Sequence, residues 1–585
     1  MGPIIDPRRG DVEDNASSTR QRSMLSLAGS MLVEISLLKL ALAWLVLLVV
    51  PGLLLGFAPI AATAWFRALT DRVFSPTIGF WSVLILAAIV AIGWYGGRQL
   101  IRLAESSFWS LTSIVVEPGY GACREGLRHV AERFLPATAT AGQRSALRSA
   151  AAAVAGLVIC TIAILVAIAA WPGTRLYSDL GEIRSLDRLA VATLANSITL
   201  VAAYLAAGAL VWAATDTTMD QPRDLDAFDE PRDGDRRWRI AHLSDIHVVG
   251  ERFGFRIESG RSGPRGNDRL KQAFARLQSI DEDLRLDAIL ISGDITDAGR
   301  SAEWAEFFEV LAAHPSLADR VLIIPGNHDL NIVDRANPAR MDLPMSPNIK
   351  LRQLRALSAM AALQGDRARV VDRPASSLGP TLAEAVEPHA AALRRFADVA
   401  KPRLFRRFDE LWASVFPMVL PPREEDGLGI ILLNSNTDTH FSFTNALGVI
   451  SAEEVKGIDL MRRSYPDACW LIALHHHAVE YPRPVKTFSE RIGTALINGN
   501  WFIRRLKPLA GHALLMHGHR HVDWIGRCEG LLIVSAPSPV MEATDDQSTC
   551  FYVHTLAIGS DRRLRLLAPE RIVLGGSPSG GRKEG

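Results

Sequence analysis

Five short clusters of Asp, Asn and His stand in order through the second half of the chain. They hold Asp245 and His247, Asp294 and Asp297, Asn327 and His328, His475 to His477, and finally His517, His519 and His521. Such side chains are hard or intermediate ligands that suit manganese, iron or zinc, and a carboxylate among them can bridge two ions. Two metals roughly 3.5 to 4 Å apart make a hydroxide available near neutral pH and clamp a phosphoryl oxygen between them. The chemistry this favours is in-line attack on phosphorus. One cluster alone says little, because an isolated D-x-H is mostly accidental and a strand-end histidine is usually only a hydrogen-bonded polar residue. All five together, each behind an apolar run, carry the reading.

The elements that must position these residues follow from the apolar runs. Strands are predicted over 238–243, 287–292, 321–325, 468–474 and 512–516, each ending at one of the clusters. Residues that follow a buried strand lie at the carboxyl edge of a sheet, where open α/β folds place their ligands. In extended chain, residues two apart point the same way, so Asp245 and His247 can face one ion. Helical spacing of Leu270, Phe274, Leu277 and Ile280, and again of Trp304, Phe307, Phe308 and Leu311, predicts helices packed back on the sheet. A further strand over 428–433 ends in Asn434-Ser435-Asn436-Thr437, and strands at 531–535, 551–556 and 563–567 close the domain. This alternation marks an α/β domain. Residues 330–427 break the rhythm with helical pieces at 350–363 and 384–412, which predicts a largely helical cap beside the site that shapes substrate choice.

D-I-H at 245–247, G-D-I-T-D at 293–297, G-N-H-D at 326–329, H-H-H at 475–477 and G-H-R-H at 518–521 together resemble the calcineurin-like metallophosphoesterases. The resemblance covers about residues 237–574. It implies two packed mixed β-sheets flanked by helices, the metallophosphoesterase-like four-layer sandwich, with a dinuclear centre along one edge. Asp245, His247 and His521 would hold the first metal, and Asn327, His475 and His519 the second, with Asp294 bridging them. His476 is the alternative to His475. His328 would not ligate; it would approach the phosphate or the leaving oxygen and protonate it. Asp297 matches the position that orients His328 and would keep its imidazole charged. His517, His477 and His242 would support the ligands or serve the fold. The protein Ser/Thr phosphatase branch follows G-D-x-x-D with a phosphate-gripping arginine, where this chain has Ala298, with Arg300 nearby. The histidine clusters and Asn434-Ser435 look closer to the cyclic-nucleotide and small-diester phosphodiesterase branch.

Composition frames the rest. At 585 residues the chain exceeds one ordinary core, and its net charge of +1 argues against a whole-protein nucleic-acid footprint. The five cysteines are scattered without a C-x-x-C pair, so neither a disulfide framework nor a cysteine zinc site is indicated. Four stretches without Asp, Glu, Lys or Arg, at 40–66, 78–97, 149–171 and 189–215, are near or above the ~20 residues of a membrane-spanning helix. Buried soluble helices are the alternative. A signal peptide ending near Ala61-Ala62-Thr63-Ala64 would need a shorter polar leader and a shorter apolar core. Seven arginines between 98 and 148 place that loop, the polar tail 1–35 and everything after 215 in the cytoplasm. The loop is either an amphipathic helix on the membrane surface or a solvated connector.

The expected fold is therefore an N-terminal all-α membrane region of four helices (36–215), a linker (216–236), the α/β domain (237–574) and a disordered tail (575–585). The expected function is a membrane-anchored, two-metal phosphoesterase that hydrolyses a phosphodiester by attack of a metal-bound hydroxide. Its partners would be the lipid bilayer and a phosphate-ester substrate, either a nucleotide or lipid-linked. Alternatives are a phosphomonoesterase or lipid-linked pyrophosphate hydrolase. From other classes come a non-catalytic membrane sensor of a phosphorylated ligand and a transporter, which spans free of charge support little.

Overall fold

A computed structural model describes residues 45, 49–73, 116–136, 139–176, 186–251, 254, 256–257, 266–334, 340, 342, 347–399, 405–439, 442, 445–482, 496–541 and 548–574. The chain divides into two compact units, residues 36–219 and residues 220–585.

The first unit is helical: α1 (Val50–Val73), α2 (Glu117–Glu132), α3 (Ala141–Ala170) and α4 (Leu186–Thr217). Segments of α1, α3 with its continuation to Gly173, and α4 are long and apolar enough to cross a membrane. They fall on the first, third and fourth predicted stretches; the second, at 78–97, lies outside the described residues, as do the tails 1–35 and 575–585. Small residues bring the helices together. A Cβ at Gly56 would collide with the carbonyl oxygen of Thr193, and one at Gly156 with Ala213. Thr140 starts α3 with a capping box, its hydroxyl accepting from the Gln143 backbone N–H at 3.2 Å. Three of the arginines that looked like a basic loop are paired with acids within the unit: Arg124 with Glu125 and Asp216, Arg128 with Glu125, and Arg148 with Glu132. α2 thereby packs against α3.

The second unit is built on two mixed sheets. One runs β14-β13-β2-β3-β4, with β15 on β13; it contains β2 (Arg236–Leu243), β3 (Ala288–Ile291), β4 (Val321–Ile323), β13 (Cys550–Ile558), β14 (Leu564–Leu566) and β15 (Glu570–Val573). Nine strands form the other, in the order β1-β11-β12-β10-β9-β8-β7-β5-β6. Its members are β1 (Arg223–Asp224), β5 (Arg369–Asp372), β6 (Ser377–Thr381), β7 (Met418–Leu420), β8 (Leu428–Leu432), β9 (Cys469–Ala473), β10 (Ala513–His517), β11 (Trp524–Cys528) and β12 (Leu531–Ser535). β2, β3 and β4 are parallel, as are β8, β9, β10 and β12, so their carboxyl ends share an edge within each sheet. One cluster of buried apolar side chains takes in both sheets, with Leu290 and Ile291 of β3 in the same core as Leu471 of β9 and Leu514 of β10. Helix α5 (Asp268–Asp283) buries Leu270, Phe274, Leu277 and Ile280, the stripe its spacing predicts. Helix α6 (Ser301–Ala312) buries Trp304, Phe307 and Leu311, with Phe308 half-buried.

Two regions differ from expectation. The insertion 330–427 is only partly helical. Its helices α7 (Pro347–Gln364), α8 (Ala390–Val399) and α9 (Phe405–Val415) are accompanied by β5 and β6, which follow α7, and by β7, which follows α9, and these strands extend the nine-stranded sheet past β8. Val370, Val371, Met418 and Val419 are buried there, so short β-branched and apolar runs were absorbed into the core. The segment read as a linker adds β1, antiparallel to β11.

Candidate metal centre

The predicted residues sit in the loops that leave β2, β3, β4, β9 and β10. Their backbone is unusual. Asp245, His247, Asp294, His519 and His521 all have positive φ, between 40° and 75°, and they make up five of the eight non-glycine residues in that region among those described. Such conformations are strained for residues with a Cβ and persist only where the surroundings fix them. The fixing contacts are visible. Asp245 N–H donates to the Gly293 carbonyl at 3.0 Å and His247 N–H to the Asp294 carbonyl at 2.9 Å, so the first two loops are laced together. The His519 N–H donates to both carboxylate oxygens of Asp245, at 3.1 and 2.9 Å. Ser538 Oγ donates to the Asp245 carbonyl at 2.8 Å.

Glycine permits the approach at two points. A Cβ on Gly326 would overlap the backbone nitrogen and Oδ1 of Asp294, and one on Gly518 would overlap Ser244 Oγ and crowd Asp245.

Two groups of ligand-type side chains result, each with donor atoms within 4.8 Å of one another: Asp245, His247 and His521, and Asp294, His475 and His519. In the first, His247 Nε2 and His521 Nε2 are 3.3 Å apart, and His521 Nε2 is 3.4 Å from Asp245 Oδ1. In the second, His475 Nε2 lies 3.3 Å from Asp294 Oδ2, 3.1 Å from Asn327 Oδ1 and 3.2 Å from His519 Nδ1. His247 Nε2 is 3.8 Å from Asp294 Oδ2, so Asp294 stands between the groups. A third group, His247, Asp297 and His328, adjoins the first.

Of the histidine triplet, His475 is the one turned toward Asp294. Its Nδ1–H donates to the Ser292 carbonyl at 2.9 Å, which sets the tautomer and leaves the Nε2 lone pair facing the carboxylate. His476 instead meets Ser435 Oγ through Nδ1 at 2.9 Å, and His477 approaches Glu480. His517 and His242 are buried against Gly518 and Ser292.

These residues fit a cation pair. Asp245, Asp294, Asn327, His247 and His475 are all buried. Nδ1 of His247 and Nε2 of His519 are buried without a hydrogen-bond partner. Burial raises Asp294, but His475, His328 and His247 outweigh it and hold the carboxyl well below its usual range. Burial lowers His475, and Asp294 more than reverses this, lifting it to about 9. A proton there stands where a metal would, so metal and proton compete for the site. His247 and His519 are pushed well below the usual range, chiefly by burial, which keeps their rings neutral and their lone pairs available.

His328 Nδ1–H donates to the backbone carbonyl of Asp297 at 2.8 Å. The Asp297 carboxylate accepts from the Ile257 N–H at 2.7 Å, and its Oδ1 stands 3.6 Å from His247 Nδ1. The His328 N–H donates to Asp294 Oδ1 at 2.8 Å. Burial lowers the His328 imidazole, yet Asp294 and Asp297 prevail and raise it.

Asp329 was given no role by the motif reading, although it is the last letter of G-N-H-D. It accepts from Thr296 N–H at 2.8 Å, Thr296 Oγ at 2.6 Å, Gly326 N–H at 2.8 Å and Ile295 N–H at 3.2 Å. One carboxylate thus clasps the Asp294 loop to the Asn327 loop. The signal in the sequence is an acid three residues after a glycine that opens a short helix, Asn327–Leu330.

Residues 239–523 match the family described as calcineurin-like phosphoesterase. This segment is a calcineurin-like phosphoesterase domain. The family uses a dinuclear metal centre, and the Asp and His groups of this phosphoesterase domain are of the kind that holds one. Among solved structures, a Staphylococcus aureus protein described as a 5′-nucleotidase is 13% identical over 60% of this chain and 56% of its own, with a TM-score of 0.31. A dimetal phosphatase from Danio rerio is 14% identical over 58% of this chain and 99% of its own, with a TM-score of 0.32. The NAD nucleotidase of Haemophilus influenzae is 10% identical over 58% of this chain and 50% of its own, with a TM-score of 0.29. The chain thus spans about half the length of the first and third of these. No curated protein matches it.

Asp329→Ala removes four hydrogen bonds to a buried carboxylate and frees both loops. It should lower stability in denaturant unfolding by on the order of 3 kcal/mol and reduce the metal retained on dialysis. Wild-type stability and metal content in this variant would refute the clasp.

Proposed function

We propose that this protein is a membrane-anchored, metal-dependent phosphoesterase that hydrolyses a phosphodiester bond. The observation that carries the reading is the convergence of Asp245, His247 and His521 with Asp294, His475 and His519 on one buried edge, with Asn327 and His328 beside them. We assign Asp245, His247 and His521 to one ion, Asn327, His475 and His519 to the other, and Asp294 to both. A bound metal pair lends Lewis acidity to the phosphoryl group and acidifies the attacking water.

The chain's own residues do the rest. His328, with Nδ1–H committed to the Asp297 carbonyl, has Nε2 as the ring atom from which a proton can pass to the leaving oxygen. The raised imidazole keeps that proton in place until the bond breaks. Asp297 accepts the His328 Nδ1–H on its backbone carbonyl, and its carboxylate helps to raise the imidazole. The diester preference is supported by the phosphodiesterase-like spelling of the histidine clusters and by Ala298 where the protein phosphatase branch carries its arginine.

The helical unit serves as the anchor, with the amino terminus and the phosphoesterase domain on the cytoplasmic side. Protease added to intact cells should leave the domain whole and cut it only after permeabilisation. Cleavage in intact cells would reverse the orientation.

Activity is tested on the detergent-purified full-length protein with added manganese, using paired generic phosphodiester and phosphomonoester substrates. Diester turnover should be the faster and should vanish in Asp294→Asn together with bound metal; retention of both ions would sink the shared role of Asp294. Monoester preference would make the enzyme a phosphatase. His328→Ala should keep its metal and lose roughly 10²- to 10⁴-fold in kcat, the usual worth of a positioned acid. An unchanged rate would remove its acid role.

A further inference from the structure

The turn that leaves β8, Asn434-Ser435-Asn436, supplies no ligand, yet it reaches the residues around one of the two metal positions. Ser435 is fully buried. Its Oγ accepts from the His475 and His476 N–H groups at 3.2 and 3.1 Å and meets His476 Nδ1 at 2.9 Å. A serine hydroxyl has two lone pairs and one hydrogen. The two backbone donors take the lone pairs, so the hydrogen goes to His476 Nδ1, and that ring carries its own proton on Nε2. His476 is thereby fixed against two ligand rings, with centroids 5.1 Å from His475 and 4.5 Å from His519. On the other side of the turn, Asn436 Nδ2 donates to the Pro325 carbonyl at 2.8 Å, two residues before Asn327.

The turn is itself held from behind. Asn434 N–H donates to Glu454 Oε1 at 2.8 Å, on the helix Ala452–Ser464. Asn434 Oδ1 accepts from Asn436 N–H and Nδ2 at 3.1 and 2.9 Å, and the Val449 N–H donates to the Ser435 carbonyl at 2.9 Å. Its contacts run to His475 directly, to His475 and His519 through the His476 ring, and to the strand end that presents Asn327. These three residues are the ones assigned above to a single ion. Among the described residues, no hydrogen bond runs from the turn to Asp245, His247 or His521, which are assigned to the other.

We propose that Ser435, with Asn436 and His476, positions the ligands of the Asn327, His475 and His519 ion alone, so that the turn after β8 sets the affinity of that metal position independently of the other. The inference rests on the ligand assignment above and deepens it by making the two positions separately tunable. Groups that orient metal ligands from behind are typically worth roughly 10- to 100-fold in affinity, because a ring already held in place gives up little freedom when the ion arrives.

Ser435→Ala and Asn436→Ala are compared with the wild type and with His475→Ala, all as full-length protein in detergent. Manganese titration is read in two ways, as metal bound per chain and as the electron paramagnetic resonance signal of the coupled ion pair. Expected in Ser435→Ala is one ion held as in the wild type and the other weakened roughly 10- to 100-fold. At intermediate manganese the coupled signal should then give way to that of a single ion. Asn436→Ala leaves the Ser435 hydroxyl in place and should show the same split, which carries the test if Ser435→Ala does not fold. Loss of both ions together in these variants, or two unchanged affinities where His475→Ala loses one ion, would overturn the proposal. His475→Ala that keeps both ions would instead remove the ligand assignment on which the proposal rests.

Discussion

Asp294 puts a negative charge where water is absent, and much of the phosphoesterase domain is arranged to make that charge tolerable. A buried carboxylate without partners is expensive enough that it would normally take up a proton. Here the His328 N–H and the rings of His475 and His247 hold it ionised instead. Those groups come from three different loops, so the loops must be pinned to each other. Asp329 and the glycines at 326 and 518 do the pinning, the first by hydrogen bonds and the others by offering no side chain. Two parallel strand sets carry the loops to their edges, and the core common to both sheets keeps those edges in register.

How much of this could be read from the residues differs by level. The strands behind the site were plain because each is a short run buried on both faces, as at Ala288–Ile291 and Cys469–Ala473. Residue types at their ends indicated metal chemistry, and the histidine nearest its strand, His475, is the one turned to Asp294. Other features had no local signature. β5, β6 and β7 are three to five residues long, and their pairing with the sheet depends on partners far away in sequence. The motif pointed to Asp297 as the partner of His328, while the atom in contact is its carbonyl, which every residue possesses and which only the fold could specify. Asp329 was visible as a letter, while three of its four donors come from the Asp294 loop, which only the fold brings near.

In the helical unit charge is again handled by pairing. Glu125 and Arg128 are buried together, and Asp216 receives Arg124 and the Tyr120 hydroxyl. Counting arginines along the chain treats each as free positive charge, whereas three of those between 98 and 148 are matched by acids from α2 and α4.

The left-handed backbone at His247, His519 and His521 bears on descent as well as on chemistry. Histidine in that conformation is held against its preference at a cost of order 1 kcal/mol or more at each position. A lineage that stopped using the site would be free of any reason to bear this. Glycine or asparagine at those positions would then be favoured for stability alone, because they accept the same backbone at less strain. Lapsed relatives should therefore be recognisable by glycine and asparagine at these three sites, with the strands behind them unchanged.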